Sequence, residues 1–239
     1  MRNISPIDRI YCALDTQSLS ETLLLADLLN GEVGGIKLGK EFFTANGPEG
    51  VNKVAALGHK IFLDLKYHDI PTTVSGAIHA ATNIQCEFVT VHASGGACML
   101  EAAIEAATKS KGDRPKILAV TVLTSLDERD LSIIGQTGPV SDQVLRLARL
   151  ANQCGVDGVV CSPHEVVSLR EEFDDEFFLV SPGVRPTWAS SNDQKRFMTP
   201  QEAVQSGADY LVIGRAITQA NDPVGATRRI VSEISNVLS

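Results

Sequence analysis

Aromatic side chains are scarce in this chain: one Trp, three Tyr and eight Phe among 239 residues. Ala, Val, Leu, Ile and Gly are plentiful instead, the balance found in parallel sheets covered by helices. An excess of positive charge is also lacking. Asp and Glu outnumber Lys and Arg by 29 to 21, for a formal net charge of −8, which argues against a nucleic-acid-binding surface. A small phosphorylated ligand needs only one local cationic pocket and stays admissible. The five cysteines (Cys12, Cys86, Cys98, Cys154, Cys161) are odd in number, scattered, and contain no C-x-x-C pair. They read as reduced core residues of a cytoplasmic protein. No signal peptide and no apolar run long enough to cross a membrane is visible, so no membrane partner is expected. The sequon Asn3-Ile4-Ser5 carries no meaning without a secretory signal.

Hydrophobic residues make up 44% of the chain, enough for a full core. The length suits one α/β barrel, although length alone also admits two small domains. Short apolar, β-branched runs recur, and strands are expected at Ile10–Asp15, Val33–Gly39, Lys60–Lys66, Phe88–Ala93, Lys116–Leu123, Gly158–Ser162, Phe177–Val184 and Tyr210–Arg215. Segments with helical periodicity lie between them, among them Glu21–Leu29, Gly95–Thr108 and Ser141–Gln153. Eight alternations point to parallel strands joined by right-handed crossovers. A closed (β/α)8 TIM barrel fits that count best, with a doubly wound open sheet as the alternative. No linker or low-complexity stretch interrupts the pattern, so residues 1–239 are assigned to a single domain. Thr124–Asp130 and Arg185–Met198 are polar and less regular. The second, past the seventh strand, reads as an exposed connection or as a lid over a ligand.

Charges interrupt strands that should be apolar. In Ile61-Phe62-Leu63-Asp64-Leu65-Lys66, side-chain alternation puts Phe62, Asp64 and Lys66 on one face and Ile61, Leu63 and Leu65 on the other. The apolar set suits packing against helices, which turns Asp64 and Lys66 into the barrel near its C-terminal mouth. Burying a charge is costly without a partner, so these two must answer each other or something bound. Asp69 follows three residues later, before Pro71 and the next helix. Asp15 closes the first strand, and Lys37 lies in the second. Ionisable groups of alternating sign therefore converge at the catalytic end of three adjacent strands. A salt-bridge layer that merely locks the barrel is the competing explanation.

Phosphate signals point to the same end. Gly183-Val184-Arg185 closes the seventh strand, and Gly214-Arg215 joins the eighth to its helix, where backbone N–H groups and an arginine can hold a phosphate. Taken singly, each is equally an ordinary glycine turn with a solvated arginine. Gly34 to Lys40 matches the G-x-x-x-x-G-K spacing of a P-loop, but Glu41 stands where Ser or Thr is needed, and the stretch reads as strand. His68 and His92 lie near the mouth as supporting residues. His59, His79 and His164 look like helix or loop residues, and no metal-ligand spacing emerges.

Asp64-Leu65-Lys66-Tyr67-His68-Asp69-Ile70-Pro71-Thr72-Thr73 closely resembles the signature of the orotidine 5′-phosphate decarboxylase family. The likeness extends to Ala13-Leu14-Asp15, Ile36-Lys37-Leu38-Gly39, Thr121-Val122-Leu123-Thr124-Ser125, Ser181-Pro182-Gly183-Val184-Arg185, Asp193-Gln194 and Ile213-Gly214-Arg215, in the family's order. The resemblance implies decarboxylation of orotidine 5′-phosphate to UMP, the last step of pyrimidine nucleotide synthesis, by a homodimer without metal or cofactor. It implies Lys66 as proton donor, with Lys37, Asp64 and Asp69 completing the charged network and Asp69 arriving from the second subunit. By the same resemblance, Asp15 and Lys37 hold ribose hydroxyls, and Thr73 adds a contact from the partner chain. Thr124 seats the base, and Arg185, Gln194, Gly214 and Arg215 grip the phosphate. Two rivals stand beside it. One is a magnesium-dependent sugar-phosphate decarboxylase sharing D-x-K-x-x-D, which carries a carboxylate where this sequence has Lys37. The other is a barrel that binds a nucleotide without turnover.

Overall fold

The computed structural model describes residues 2–110, 112–189 and 198–238. Eight strands, β1 (Ile10–Ala13), β2 (Gly35–Gly39), β3 (Ile61–Tyr67), β4 (Phe88–His92), β5 (Lys116–Val120), β6 (Gly158–Val160), β7 (Phe178–Pro182) and β8 (Tyr210–Ile213), pair in parallel and in sequence order, and β8 closes on β1. The closed barrel holds and the open-sheet alternative falls. All eight strands lie where the apolar runs put them. β1, β5, β6, β7 and β8 stop short at their C-terminal ends, where residues such as Asp15, Leu123, Cys161, Val184 and Arg215 leave the ladder to line the mouth.

The helices are α1 (Leu19–Leu28), α2 (Lys40–Ala55), α3 (Pro71–Ala81), α4 (Ala97–Thr108), α5 (Glu128–Ile133), α6 (Val140–Gln153), α7 (Val166–Glu172), α8 (Pro200–Gln205), α9 (Arg215–Thr218) and α10 (Pro223–Leu238). Part of the stretch read as an irregular connection, Thr124–Asp130, is helical. Asp127 caps α5 by accepting from the Asp130 N–H, while the Asp130 side chain accepts from Asp127 N–H. Such a reciprocal cap makes a six-residue helix viable despite its length.

Strand parity sorts the core into two regions. Outward residues such as Ile36, Leu38, Ile61, Leu63, Val89 and Val91 pack against the helices, whereas Tyr11, Ala13, Phe62, Phe88, Leu118, Phe178, Val180, Tyr210 and Val212 fill the barrel. Five of the few aromatic residues (Tyr11, Phe62, Phe88, Phe178 and Tyr210) form the barrel's lower layer, with edge-on or tilted rings 5.1–6.0 Å apart. Such geometry is favourable for rings carrying a negative face and a positive edge. Gly35 leaves room for this layer: a Cβ there would lie 2.5 Å from the Tyr11 ring. One step higher on each strand come Ala13, Lys37, Asp64 and Thr90. The aromatic layer thus closes the barrel from below, and the charged residues stand on it at the open C-terminal end.

Candidate active site

Lys37 and Asp64 are buried on β2 and β3, and Lys66 is half-buried. The Lys66 ammonium donates to Asp64 Oδ2 at 2.7 Å, and Lys37 Nζ lies 3.5 Å from the same oxygen. Lys37 also donates to Asp15 Oδ1 at 3.1 Å. Asp15 stands two residues beyond the end of β1 and is exposed. The four groups therefore alternate in sign from one contact to the next, Asp15 to Lys37 to Asp64 to Lys66. Burial disfavours the Asp64 carboxylate, but the Lys37 and Lys66 cations and hydrogen bonds from Lys66 and Thr90 outweigh it and hold its carboxyl below the usual carboxylate range.

Alternation alone would turn Lys66 inward, but the strand reaches that result differently. Phe62 and Leu63 pair with Phe88 and Val89, and the next pairing is Tyr67 with Val91. Three residues of β3 thus stand opposite Thr90 alone, and Lys66 takes a left-handed φ of 51°. Such a bulge re-aims a side chain, and a non-glycine residue at positive φ persists only where its surroundings enforce it.

A cavity of about 370 Å³ opens above these groups. Its lining combines the charged Asp15, Lys37, Asp64 and Lys66, the apolar Val120, Val122, Leu123, Val160 and Val212, and Thr124, Arg185, Gly214 and Arg215. Gly183, also in the lining, has φ 78°, a conformation open to glycine without strain, and it turns the chain so that Arg185 follows at the rim. A second cavity, about 310 Å³, shares Arg185, Arg215 and Ala216 and adds Trp188, Gln219 and Asn221. Trp188 is fastened to α10: its indole N–H donates to Glu233 at 2.7 Å, and Arg229 lies 4.7 Å from its ring centroid.

Of the residues singled out from the sequence, Asp15, Lys37, Asp64, Lys66, Thr124, Arg185, Gly214 and Arg215 therefore share one cavity. Asp69 and Thr73 do not line it. Both are exposed at the start of α3, where Asp69 Oδ1 accepts the Ile70 N–H at 2.6 Å. Gln194 and Asp193, and most of the stretch read as a lid, fall outside the described residues. Two contributors went unnoticed in the sequence. The apolar wall was hidden because valines in strands look like ordinary core. Thr90 had a visible signal, since Phe88, Thr90 and His92 alternate with Val89 and Val91, which places its hydroxyl inside. His92 is half-buried beside His68, ring centroids 5.3 Å apart; burial, then His68, Lys40 and Lys66, push its pKa down to about 4.

The family model described as Orotidine 5′-phosphate decarboxylase / HUMPS family matches residues 8–230. The chain belongs to this family. Within it, the chain is 49% identical over 232 residues to the orotidine 5′-phosphate decarboxylase of Paramagnetospirillum magneticum, spanning 95% of this chain and 99% of that one. It is 51% identical over 230 residues to that of Rhodospirillum rubrum, spanning 94% and 93%. The crystal structure of orotidine 5′-phosphate decarboxylase from Lactobacillus acidophilus superposes with a TM-score of 0.83 at 37% identity, covering 94% of this chain and 98% of that chain. Lys37, Asp64 and Lys66 all fall within the matched span.

Proposed function

We propose that this protein is a carbon–carbon lyase converting orotidine 5′-phosphate to UMP and CO2, the closing step of pyrimidine nucleotide synthesis. One observation carries the reading: a carboxylate held between two ammonium groups, 2.7 and 3.5 Å away, in a cavity whose lining also includes two arginines. When the bond from ring C6 to the carboxyl carbon breaks, its electron pair stays in an sp2 orbital that no π system can spread. The Lys66 ammonium meets that charge and gives C6 a proton, and the resulting amine recovers one from water. Asp64, beside the departing carboxylate, opposes the ground state and keeps Lys66 oriented. Lys37 and Asp15 receive the ribose hydroxyls, Thr124 borders the base, and Arg185, Gly214 and Arg215, with Gln194, receive the phosphate. Phosphate binding lies far from the scissile bond, so its energy can be spent on closing the site around the transition state.

In this reading Asp69 and Thr73 complete the site of the second subunit of a homodimer, which accounts for their exposure in one chain. All five cysteines are free, and among the described residues no helix is long and apolar enough to cross a membrane. A cytoplasmic enzyme acting on a small nucleotide fits both observations.

The Lys37 ammonium stands 3.5 Å from Asp64 and 3.1 Å from Asp15. A fixed cation thus already neutralises the carboxylates that a magnesium-dependent relative would offer to a metal. Purified protein incubated with orotidine 5′-phosphate and excess EDTA is expected to deplete the substrate's pyrimidine absorbance as fast as without chelator. Loss of activity in EDTA favours the metal-dependent rival, and tight nucleotide binding without turnover favours the non-catalytic one. Arg215→Ala is expected to raise KM and to lower kcat/KM by roughly ten- to a hundredfold, the loss of a charge-assisted hydrogen bond. Steady-state kinetics check it, and an unchanged kcat/KM removes Arg215 from the phosphate site.

A further inference from the structure

Thr90 on β4 is fully buried and faces into the barrel. Its hydroxyl donates to Asp64 Oδ1 at 2.9 Å and accepts the backbone N–H of Lys66 at 2.8 Å. One oxygen therefore does two things at once. It occupies the Asp64 oxygen that the lysines leave over, so that Oδ2 is the one turned to Lys37 and Lys66. It also satisfies the N–H that the bulge takes out of the ladder between β3 and β4, where Lys66 adopts φ 51°. A buried N–H left without a partner costs free energy comparable to a lost hydrogen bond, so this contact is what lets the turned backbone persist.

We infer that Thr90 is a positioning residue for the reaction: its hydroxyl aims the Asp64 carboxylate and locks the bulge that presents the Lys66 ammonium. The inference rests on the decarboxylase reading and adds to it a residue that makes no contact with substrate. A hydroxyl is required because only a group that donates and accepts can serve the carboxylate and the amide together. Valine has nearly the same shape and can do neither. Serine can do both.

Among the described residues, the charged and titratable groups facing Asp64 are Lys37 from β2, with Asp15 two residues past β1 behind it, Lys66 on its own strand, and His92 at the end of β4. Burial pushes the His92 pKa down to about 4, within the acid range where Asp64 also titrates, so the profiles are compared between variants that all keep His92. Thr90→Val is expected to lower kcat about ten- to a hundredfold, the range for removing a buried partner of an active group. KM should be little changed, because the phosphate and ribose contacts stand. The acidic limb of the kcat profile should move to higher pH, since Asp64 loses a hydrogen bond that favours its ionised form. Thr90→Ser should restore both. A loss confined to stability would alter neither the profile nor the split between kcat and KM. Where Thr90→Val does not fold, Thr90→Ala set against Thr90→Ser makes the same comparison.

A second measurement needs no turnover. In protein labelled with [13C]aspartate, the Asp64 carboxyl resonance is assigned by its loss in Asp64→Asn, and its titration is followed in each variant. An upward displacement in Thr90→Val, reversed in Thr90→Ser, supports the inference. Wild-type titration in Thr90→Val overturns it, as does wild-type kcat and pH profile in that variant, or a serine variant as impaired as the valine one. Failure of the wild-type protein to consume orotidine 5′-phosphate overturns the decarboxylase reading instead, and the carboxyl titration alone then decides the role of Thr90.

Discussion

Lys66→Ala is expected to abolish turnover, with kcat reduced at least ten-thousandfold by an order-of-magnitude reckoning, while the barrel stays folded. The size follows from two functions ending together. Proton delivery by a placed acid accounts for roughly 10²–10⁴ in rate, and a fixed charge against a developing anion for roughly another 10²–10³. The two act through one atom, Nζ, so their loss is joint rather than additive. Lys66→Arg separates them only in part: a guanidinium keeps the positive charge but holds its protons too tightly to release one. It should therefore remain nearly inactive. The fold survives because Lys37 still stands 3.5 Å from Asp64 Oδ2 and Thr90 still holds Oδ1. The stability lost is less than the ~3–5 kcal/mol that follows when a buried charge is left with no partner.

The variant does carry a signature on acid titration. The Asp64 carboxyl is held below its ordinary range in the native protein, so its ionised form adds stability above the unfolded value of about 3.9, and that contribution is lost as pH falls through the native value. Removing one of the two cations moves the native value upward and narrows that gap. Circular dichroism against pH should show Lys66→Ala unfolding at a higher pH than wild type. Retention of even one part in a hundred of wild-type kcat in Lys66→Ala would remove Lys66 from the chemistry.

How far the sequence led depended on whether the physics was local. The two-residue period of strands is local, and it assigned Phe62 and Asp64 to the barrel interior and Leu63 and Leu65 to the helix side, as found. The same period also turned Lys66 toward the cavity, yet the backbone gets there through a bulge that depends on how β3 pairs with β4. Pairing between strands leaves no mark in the spacing of one of them, so neither the left-handed Lys66 nor its hydroxyl partner Thr90 could be read from β3 alone. The helix α5 escaped notice for a different reason. Six residues are too few for a periodic signal, and what stabilises them is one reciprocal cap between Asp127 and Asp130. That Gly183, Arg185, Gly214 and Arg215 reach the cavity rim was legible because glycine turns are set by local backbone geometry, as Gly183 at φ 78° illustrates.

A mixture of two inactive proteins should recover activity. Asp69 belongs to the same short motif as Asp64 and Lys66, yet it is exposed, outside the cavity, and among the described residues bonded only to the Ile70 N–H. Ile70 beside it leaves 64% of its surface exposed, and Thr73 is exposed on the same turn. An exposed acid that lines no cavity among the described residues, beside an uncovered isoleucine, suits a surface that a second copy covers, with each copy lending Asp69 to the other's cavity. In a two-fold dimer built this way, Lys66→Ala spoils a chain's own site, whereas Asp69→Asn spoils its partner's. When the two variants exchange subunits at equal amounts, about half of the dimers are mixed, and each of those holds one site with both native residues. About a quarter of wild-type activity should therefore return, from two preparations that separately have almost none. Were Asp69 to serve the cavity of its own chain, every site in the mixture would lack one residue or the other and no activity would return. The rate of decarboxylation, followed while the two proteins exchange, separates these cases, because shared sites give a rising signal that levels off when exchange is complete.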